Sequence, residues 1–482
     1  MFERENNPKV LTEEQLDRID TEAMRILEEI GMDVIHEEAR ELLVKEGQKV
    51  DGERVRFDRG WIAERVAQAP SSFTLLGRNR ERDVVIGEGE PVWTNVGGPP
   101  FCSDLDGGRR SGTIEDHERL VKLTQAADLL NAVQSGAVEP VELPVESRSL
   151  DMDYSVLRWT DKPFAAYGTS GPKAVDGIRM ARIAHGGEEK VGDAAVTMVI
   201  INPNSPLIWD TRMADALTKT AAENQPTVIT PFLLAGATSP VSVAGALAIQ
   251  VAEALSGVAI AQSVRPGAPC LYGSFFTATD MRTGSPAFGT PESVIGILAG
   301  AQIARRYGLP FRGGGGLASA NSVDGQAAAE TQNMLWATLL AGTDFVLHAA
   351  GWLEGGLCAS YEKFALDLEL LSIFSTLREG IGLSDEEFGF DALAELGPGG
   401  MFLASPHTME HFKEWLYMSP LFQTQDFATW EGMGSPTVAE RANASWKALL
   451  ERYEDPGIDA DVDAELVAYM EKRKADPPDP ED

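Results

Sequence analysis

Residues 345–356 read Phe-Val-Leu-His-Ala-Ala-Gly-Trp-Leu-Glu-Gly-Gly and set one of six histidines, a tryptophan and a glutamate directly behind a short apolar run. Histidine is the side chain whose ordinary pKa lies nearest neutrality, and a nearby carboxylate can orient or polarise it. His348 and Glu354 are therefore candidates for acid–base chemistry or for holding a charged ligand, with the indole of Trp352 between them. Tyr361 and Glu362 follow as a second aromatic and acidic pair. The plain alternative is a strand–loop–helix connection in which His348 closes a buried hydrogen-bond network; these residues alone leave both readings open.

The elements that must position this stretch follow from periodicity. Between residues 113 and 406, helix-period segments alternate with short apolar runs at 131–135, 164–167, 195–201, 227–232, 269–275, 310–313, 345–347 and 401–403. Such alternation predicts parallel βαβ units, and eight of them predict a (β/α)8 TIM barrel. An open doubly wound sheet would want a glycine fingerprint at its first helix, and none stands there. Residues 1–112 predict an α+β appendage. Thr12 and Gln15 have capping-box spacing, Leu16, Ile19, Ala23, Ile26, Leu27 and Ile30 recur at helical intervals, and Gly31 stops the helix. Runs at 72–76, 83–86 and 91–94 predict hairpin strands. Residues 407–482 predict helices at 408–415 and 436–453, then a disordered acidic tail.

A barrel carries its chemistry at the C-terminal ends of its strands. Ser135, Gly136 and Glu139 follow the first apolar run, Tyr167 the second, Asn202 and Trp209 the third, and Phe275 and Phe276 the fifth. Gly313, Gly314, Gly315 and Gly316 follow the sixth and predict a place where a large ligand approaches the backbone. His348, Trp352 and Glu354 follow the seventh. The mouth is thus aromatic and poor in charge. It has no metal-ligand spacing, no nucleophile elbow and no phosphate loop. Tyr167, Trp209, Phe276 and Trp352 suit a quaternary ammonium group bound through ring quadrupoles. A substrate carboxylate would then be held by His348 or Asn202. The alternative for each ring is a core-packing role.

The net charge of −33 disfavours nucleic acid and anionic membrane surfaces as partners. No uncharged apolar run reaches the roughly 18 residues of a membrane span, and MFERENNPKV lacks the build of a secretory leader, so the expected location is cytoplasmic. Cys102, Cys270 and Cys358 are far apart and read as buried structural thiols.

These features, in this order, resemble the trimethylamine:corrinoid methyltransferase family in its broad sense. The resemblance rests on Leu11 to Leu16, Ile26 to Gly31, Val55-Arg56-Phe57, the run Thr230-Pro-Phe-Leu-Leu-Ala-Gly-Ala-Thr-Ser-Pro-Val-Ser-Val-Ala-Gly245, Arg265 to Pro269 and His348 to Gly351. It continues through Ser360-Tyr361-Glu362, Gly397-Pro-Gly-Gly400, Phe402-Leu403, His407-Thr408 and Trp430. It implies a barrel that moves a methyl group from a methylated amine to the Co(I) of a corrinoid carried by a separate protein, with a homo-oligomeric assembly and no tightly bound metal of its own. Trimethylamine enzymes of the family carry pyrrolysine, whereas this chain has only the twenty standard residues. It therefore resembles the non-pyrrolysine branch, whose substrates are quaternary amines such as glycine betaine. Within that resemblance, Gly313 to Gly316 are the expected corrinoid-binding residues and the expected counterpart of the pyrrolysine position. Two other classes stay open on the residues: a lyase-like barrel with His348 as base, and a non-catalytic module that docks a corrinoid protein.

Overall fold

A computed structural model describes residues 7–477; the last part of the expected acidic tail lies outside them. Eight parallel strands form the central sheet: β1 (Val92–Asn95), β2 (Val133–Gln134), β3 (Phe164–Ala166), β4 (Met198–Ile201), β5 (Thr227–Ile229), β6 (Cys270–Gly273), β7 (Phe311–Gly314) and β8 (Phe345–Ala350). β8 pairs with β1, and a parallel bridge between Thr94 and Ala132 joins β1 to β2 and closes the barrel. The barrel is the one expected, but its strand roster differs by one at each end. β1 overlaps the run at 91–94, expected to be a hairpin strand of the appendage, so a boundary at 112 would cut off a barrel strand. The expected eighth strand at 401–403 is instead part of an exposed 3-10 turn, Phe402–Ala404, with Leu403 77% exposed. An apolar triplet reads as a buried strand by composition alone, and only the sheet order tells the two apart. His348 therefore stands on the closing strand.

Two features tie the rest of the chain to the barrel mouth. Met32–Val34 pairs in parallel with Ile208–Trp209, from the loop after β4, so the N-terminal segment is sewn to the barrel. The hairpin Phe101–Asp104 and Gly108–Ser111 joins Cys358–Ser360 and Trp352–Leu353 in a second small sheet. Trp352 thus sits on a strand, not on a free loop. The helix Glu13–Arg25 has the capping box read from Thr12 and Gln15, and Gly31 ends its final turn at φ 78°. The helix Val243–Val264 is long and apolar enough to cross a membrane by composition, yet 83% of that window is buried under the N-terminal helices. All three cysteines are free and buried.

The four-glycine run is a packing device. A Cβ on Gly315 would lie 2.4 Å from Ala349 Cα and 2.7 Å from His348 O, and one on Gly316 would lie 3.0 Å from Ala349 O. The chain after β7 runs backbone against backbone along β8, with Gly315 N–H donating to Leu347 O at 2.9 Å and Gly316 N–H to His348 O at 2.8 Å. Only glycine allows that approach. Gly315→Ala is expected to destabilise the fold by about 2–4 kcal/mol, because the obstruction is main chain and cannot turn away. Gly325→Ala, with open space at a helix start, is the control and should be neutral. Denaturant unfolding of both variants checks this.

Candidate active site

The C-terminal ends of β1 to β8 enclose a cavity of about 190 Å³ lined in part by Gly98, Gln134, Tyr167, Asn202, Phe275, Arg312 and His348. A larger groove of about 730 Å³ runs between residues 104–119 and 446–451. Its Arg110 is committed to Asp104 and Asp116, and Arg119 to Glu115 and Asp116. The smaller cavity is the candidate site, because it lies where barrels hold their chemistry and because its charge is not committed.

That charge belongs to Arg312, in the middle of β7. Arg312 is 1% exposed. Its Nη1 donates to Ser274 O at 3.1 Å and to Thr230 Oγ1 at 3.3 Å, its Nε has no partner, and no carboxylate pairs with it among the described residues. Burial pushes its pKa down to about 9. Its Cζ lies 4.9 Å from the centre of the Phe275 ring. A guanidinium buried without an anion costs several kcal/mol, so Arg312 is a candidate anion-binding group.

His348 stands beside it, buried and with φ 62°, a conformation that β8 and the glycine run hold between them. Gly97 N–H donates to His348 Nδ1 at 3.1 Å. That bond leaves the proton on Nε2, so the ring can donate to a ligand. Burial, aided by the nearby Arg312 cation, holds the imidazole pKa well below its usual value, so it is neutral near pH 7. Behind it, Lys363 Nζ bonds Gly316 O at 3.0 Å and Asp367, whose other contact is Gly351 N–H at 2.8 Å. This buried pair clamps the glycine run to the end of β8.

The opposite wall is built on β2 and β3. Tyr167 Oη donates to Glu139, whose other oxygen accepts from Arg148 at 2.6 Å. Burial and the adjacent carboxylate hold the phenol pKa well above its usual value. Asp153, fully buried, accepts from Ser135 Oγ at 2.5 Å and from Tyr167 N–H at 3.1 Å. Asn202 Nδ2 donates to Thr230 O at 3.0 Å, which fixes its amide at the rim.

The cavity therefore gathers three of the residues singled out in the sequence, His348, Tyr167 and Asn202. Trp352 backs it: its ring centre is 4.3 Å from that of His348, and its buried Nε1 has no hydrogen-bond partner. The others lie elsewhere. Trp209 is fully buried beneath the N-terminal sheet, with Nε1 donating to Ser256 Oγ at 3.0 Å. Phe276 points to the outer face and packs with Leu233, Ala235 and Ile249. Neighbours on a strand face opposite sides, so Phe275 enters the cavity in its place. Glu354 is held by Arg109, with Nε–O distances of 2.9 and 3.0 Å, outside the cavity lining. Gly313, Gly314, Gly315 and Gly316 are buried in the packing described above and also do not line it. Arg312 was missed. Its signal was an arginine inside an apolar strand, ahead of the glycines that drew attention.

Comparison with known proteins places this geometry in a family. The family model described as trimethylamine methyltransferase matches residues 2–478. The chain belongs to this methyltransferase family. It is 38% identical to a glycine betaine methyltransferase of Desulfitobacterium hafniense over 464 residues, covering 96% of this chain and 97% of the relative. It is 31% identical to a proline betaine:corrinoid methyltransferase of Eubacterium limosum over 417 residues, covering 84% of each. A trimethylamine methyltransferase of Desulfitobacterium hafniense is 26% identical, with 96% of this chain and 93% of the relative covered. Among solved structures, the monomethylamine methyltransferase of Methanosarcina barkeri shares the fold with a TM-score of 0.54 at 10% identity, covering 95% of this chain and 90% of that one.

Asp153 yields a pH test. Burial raises its pKa from 3.8 to about 7, so the folded state holds a proton that the unfolded chain has lost over that interval. Its stabilising contribution is complete below about pH 4 and is lost as the pH rises through about 7. Asp153→Asn keeps an acceptor for Ser135 and Tyr167 and removes the titration. Thermal unfolding between pH 5 and 8 should show the parent chain losing stability more steeply than the variant.

Proposed function

We propose that the chain transfers a methyl group from a small zwitterionic betaine, with glycine betaine as the leading donor, to a corrinoid carried by a partner protein. The observation that carries this reading is the unpaired Arg312. A betaine brings the missing anion: its carboxylate can take the free edge of the guanidinium, with His348 Nε2–H as a second donor. Trimethylamine brings none, and as a protonated amine it would set one cation against another. The ammonium end then lies toward the Tyr167 ring, which attracts it. Glu139, whose charge is paired with Arg148, holds the Tyr167 hydroxyl and so fixes the ring. The likeness to two betaine enzymes supports the same substrate class.

The reaction this site suits needs position rather than proton transfer. The C–N bond breaks and its electron pair stays on nitrogen, so a quaternary donor departs as a neutral tertiary amine without a proton from the protein. The partner-borne corrinoid, when reduced, supplies the nucleophile that accepts the methyl group. The rim leaves room for such a visitor at Gly98, which has open space where a side chain would stand. The protein's own part is to anchor the carboxylate, direct one methyl outward and exclude water. A lyase reading with His348 as base fits less well, because its acceptor nitrogen is already occupied by Gly97 N–H.

With reduced corrinoid protein, glycine betaine should be demethylated, as read by the absorbance change of the corrinoid and by release of dimethylglycine. Choline, which lacks the carboxylate, should be a poor donor. Arg312→Leu should cut kcat/KM for glycine betaine about 100-fold or more and narrow its lead over choline. Equal use of both donors by the parent chain would refute the reading.

A further inference from the structure

Among the residues that line the cavity, two buried side-chain atoms have no hydrogen-bond partner. One is Arg312 Nε, a donor. The other is Gln134 Oε1, an acceptor. The proposed function uses the first and leaves the second idle. A buried amide oxygen with nothing to accept from opposes folding, as a buried guanidinium without an anion does.

The fold nevertheless holds Gln134 closely. β2 is two residues long, and its Val133 packs outward with Leu150 and Val156 of the helix Arg148–Trp159, so Gln134 faces into the barrel. One side chain clamps its main chain: Gln134 N–H donates to Asn95 Oδ1 at 2.7 Å, and Asn95 Nδ2 donates to Gln134 O at 3.4 Å. Its side chain lies against Gly97, where a Cβ would come 2.4 Å from Gln134 Cγ. The N–H of that same glycine donates to His348 Nδ1. Gln134 is 8% exposed, yet its amide oxygen accepts from nothing among the described residues. Main chain and packing thus place the residue, and the amide oxygen is left for a ligand.

We infer that Gln134 is a substrate-positioning residue whose amide oxygen receives the ammonium end of the donor. This rests on the betaine reading and deepens it. No aspartate or glutamate lines the cavity, so a cation there has to be held by neutral groups. Arg312 has only donors to offer, Asn202 Nδ2 is committed to Thr230 O, and the Tyr167 hydroxyl is committed to Glu139. A quaternary nitrogen has no N–H to give. Its positive charge is shared with its methyl hydrogens, and these are drawn to a carbonyl oxygen. β2 pairs with β3, which carries Tyr167 just beyond its end, so the amide and the ring stand on adjacent strands. With one methyl against the ring and one on the amide oxygen, the third turns toward the rim. The orphan donor and the orphan acceptor then answer the two ends of one zwitterion.

The test is binding to the full chain without corrinoid, read by calorimetry. The probes are glycine betaine and tert-butylacetate, which keeps the shape and the carboxylate but has carbon in place of the cationic nitrogen. The parent chain should bind glycine betaine more tightly than the neutral analogue. Gln134→Met, close in volume, should weaken glycine betaine about 10-fold and change tert-butylacetate by less than about 2-fold. Retained binding of the analogue shows that this variant is folded. Gln134→Glu, which puts a full charge where the amide oxygen stood, carries the test should the methionine variant not fold, and its preference for the cation should exceed the parent's. An unchanged preference in either folded variant, or an equal loss of both ligands in folded Gln134→Met, would overturn the inference. A parent chain that binds neither ligand would overturn the betaine reading, and the inference would fall with it.

Discussion

The site depends on a guanidinium with nowhere to put its charge. Arg312 is carried into the barrel by β7, between Phe311 and the glycines, and it cannot reach solvent. Its two protein acceptors, both neutral oxygens, satisfy Nη1 and leave Nε free. Stability alone would favour an apolar residue there, because a buried charge without a counter-ion opposes folding. The arrangement makes physical sense if a ligand supplies the anion, and then binding recovers energy that folding has left unsatisfied. The same charge helps keep His348 neutral, so the anion receptor and the neighbouring hydrogen-bond donor are one electrostatic unit.

Holding that unit in place is the task of main chain more than of side chains. β8 carries His348 at a positive φ, β7 continues as glycine so that its backbone can lie against Ala349, and the Lys363–Asp367 pair ties Gly316 O to Gly351 N–H. Across the cavity, Asp153 fixes the Tyr167 backbone and Glu139 fixes its hydroxyl. Both walls are set by groups that point away from the ligand. This leaves few degrees of freedom to freeze when a substrate enters.

How much of this was legible follows the physics of each signal. Alternating βα texture is a long-range pattern and gave the barrel, but a four-residue strand at 92–95 and an apolar triplet at 401–403 carry too little pattern to sort barrel from non-barrel. The choice between Phe275 and Phe276 is a matter of strand register, where one residue exchanges the two faces. Trp209 is aromatic at a strand end, yet the N-terminal strand Met32–Val34 pairs over it, a contact that no local pattern announces. Glu354 looked free in the sequence because Arg109, its partner, lies 245 residues away. The glycines were read as a door for a ligand when they are a seam between two strands. Arg312 was missed although its signal was there: a charge in an apolar strand conflicts with burial, and such local conflicts concentrate at functional sites.

The proposed betaine has two charged ends a few bonds apart, and a cavity of about 190 Å³ with Tyr167 on one wall and the Arg312 guanidinium on the other would hold both. Each end fixes the other. On the proposed reading, seating a betaine carboxylate on Arg312 would set how far the ammonium can travel, and the Tyr167 ring would limit how it can turn. Only the methyl groups on the far side of nitrogen remain for the rim. A donor with one charged end would satisfy one wall and rotate freely about it, so the orientation that in-line transfer requires would be lost. On that reading a site that moves no proton can still be selective: donors would be distinguished by where their charges sit, and the departing amine would ask nothing further of the protein.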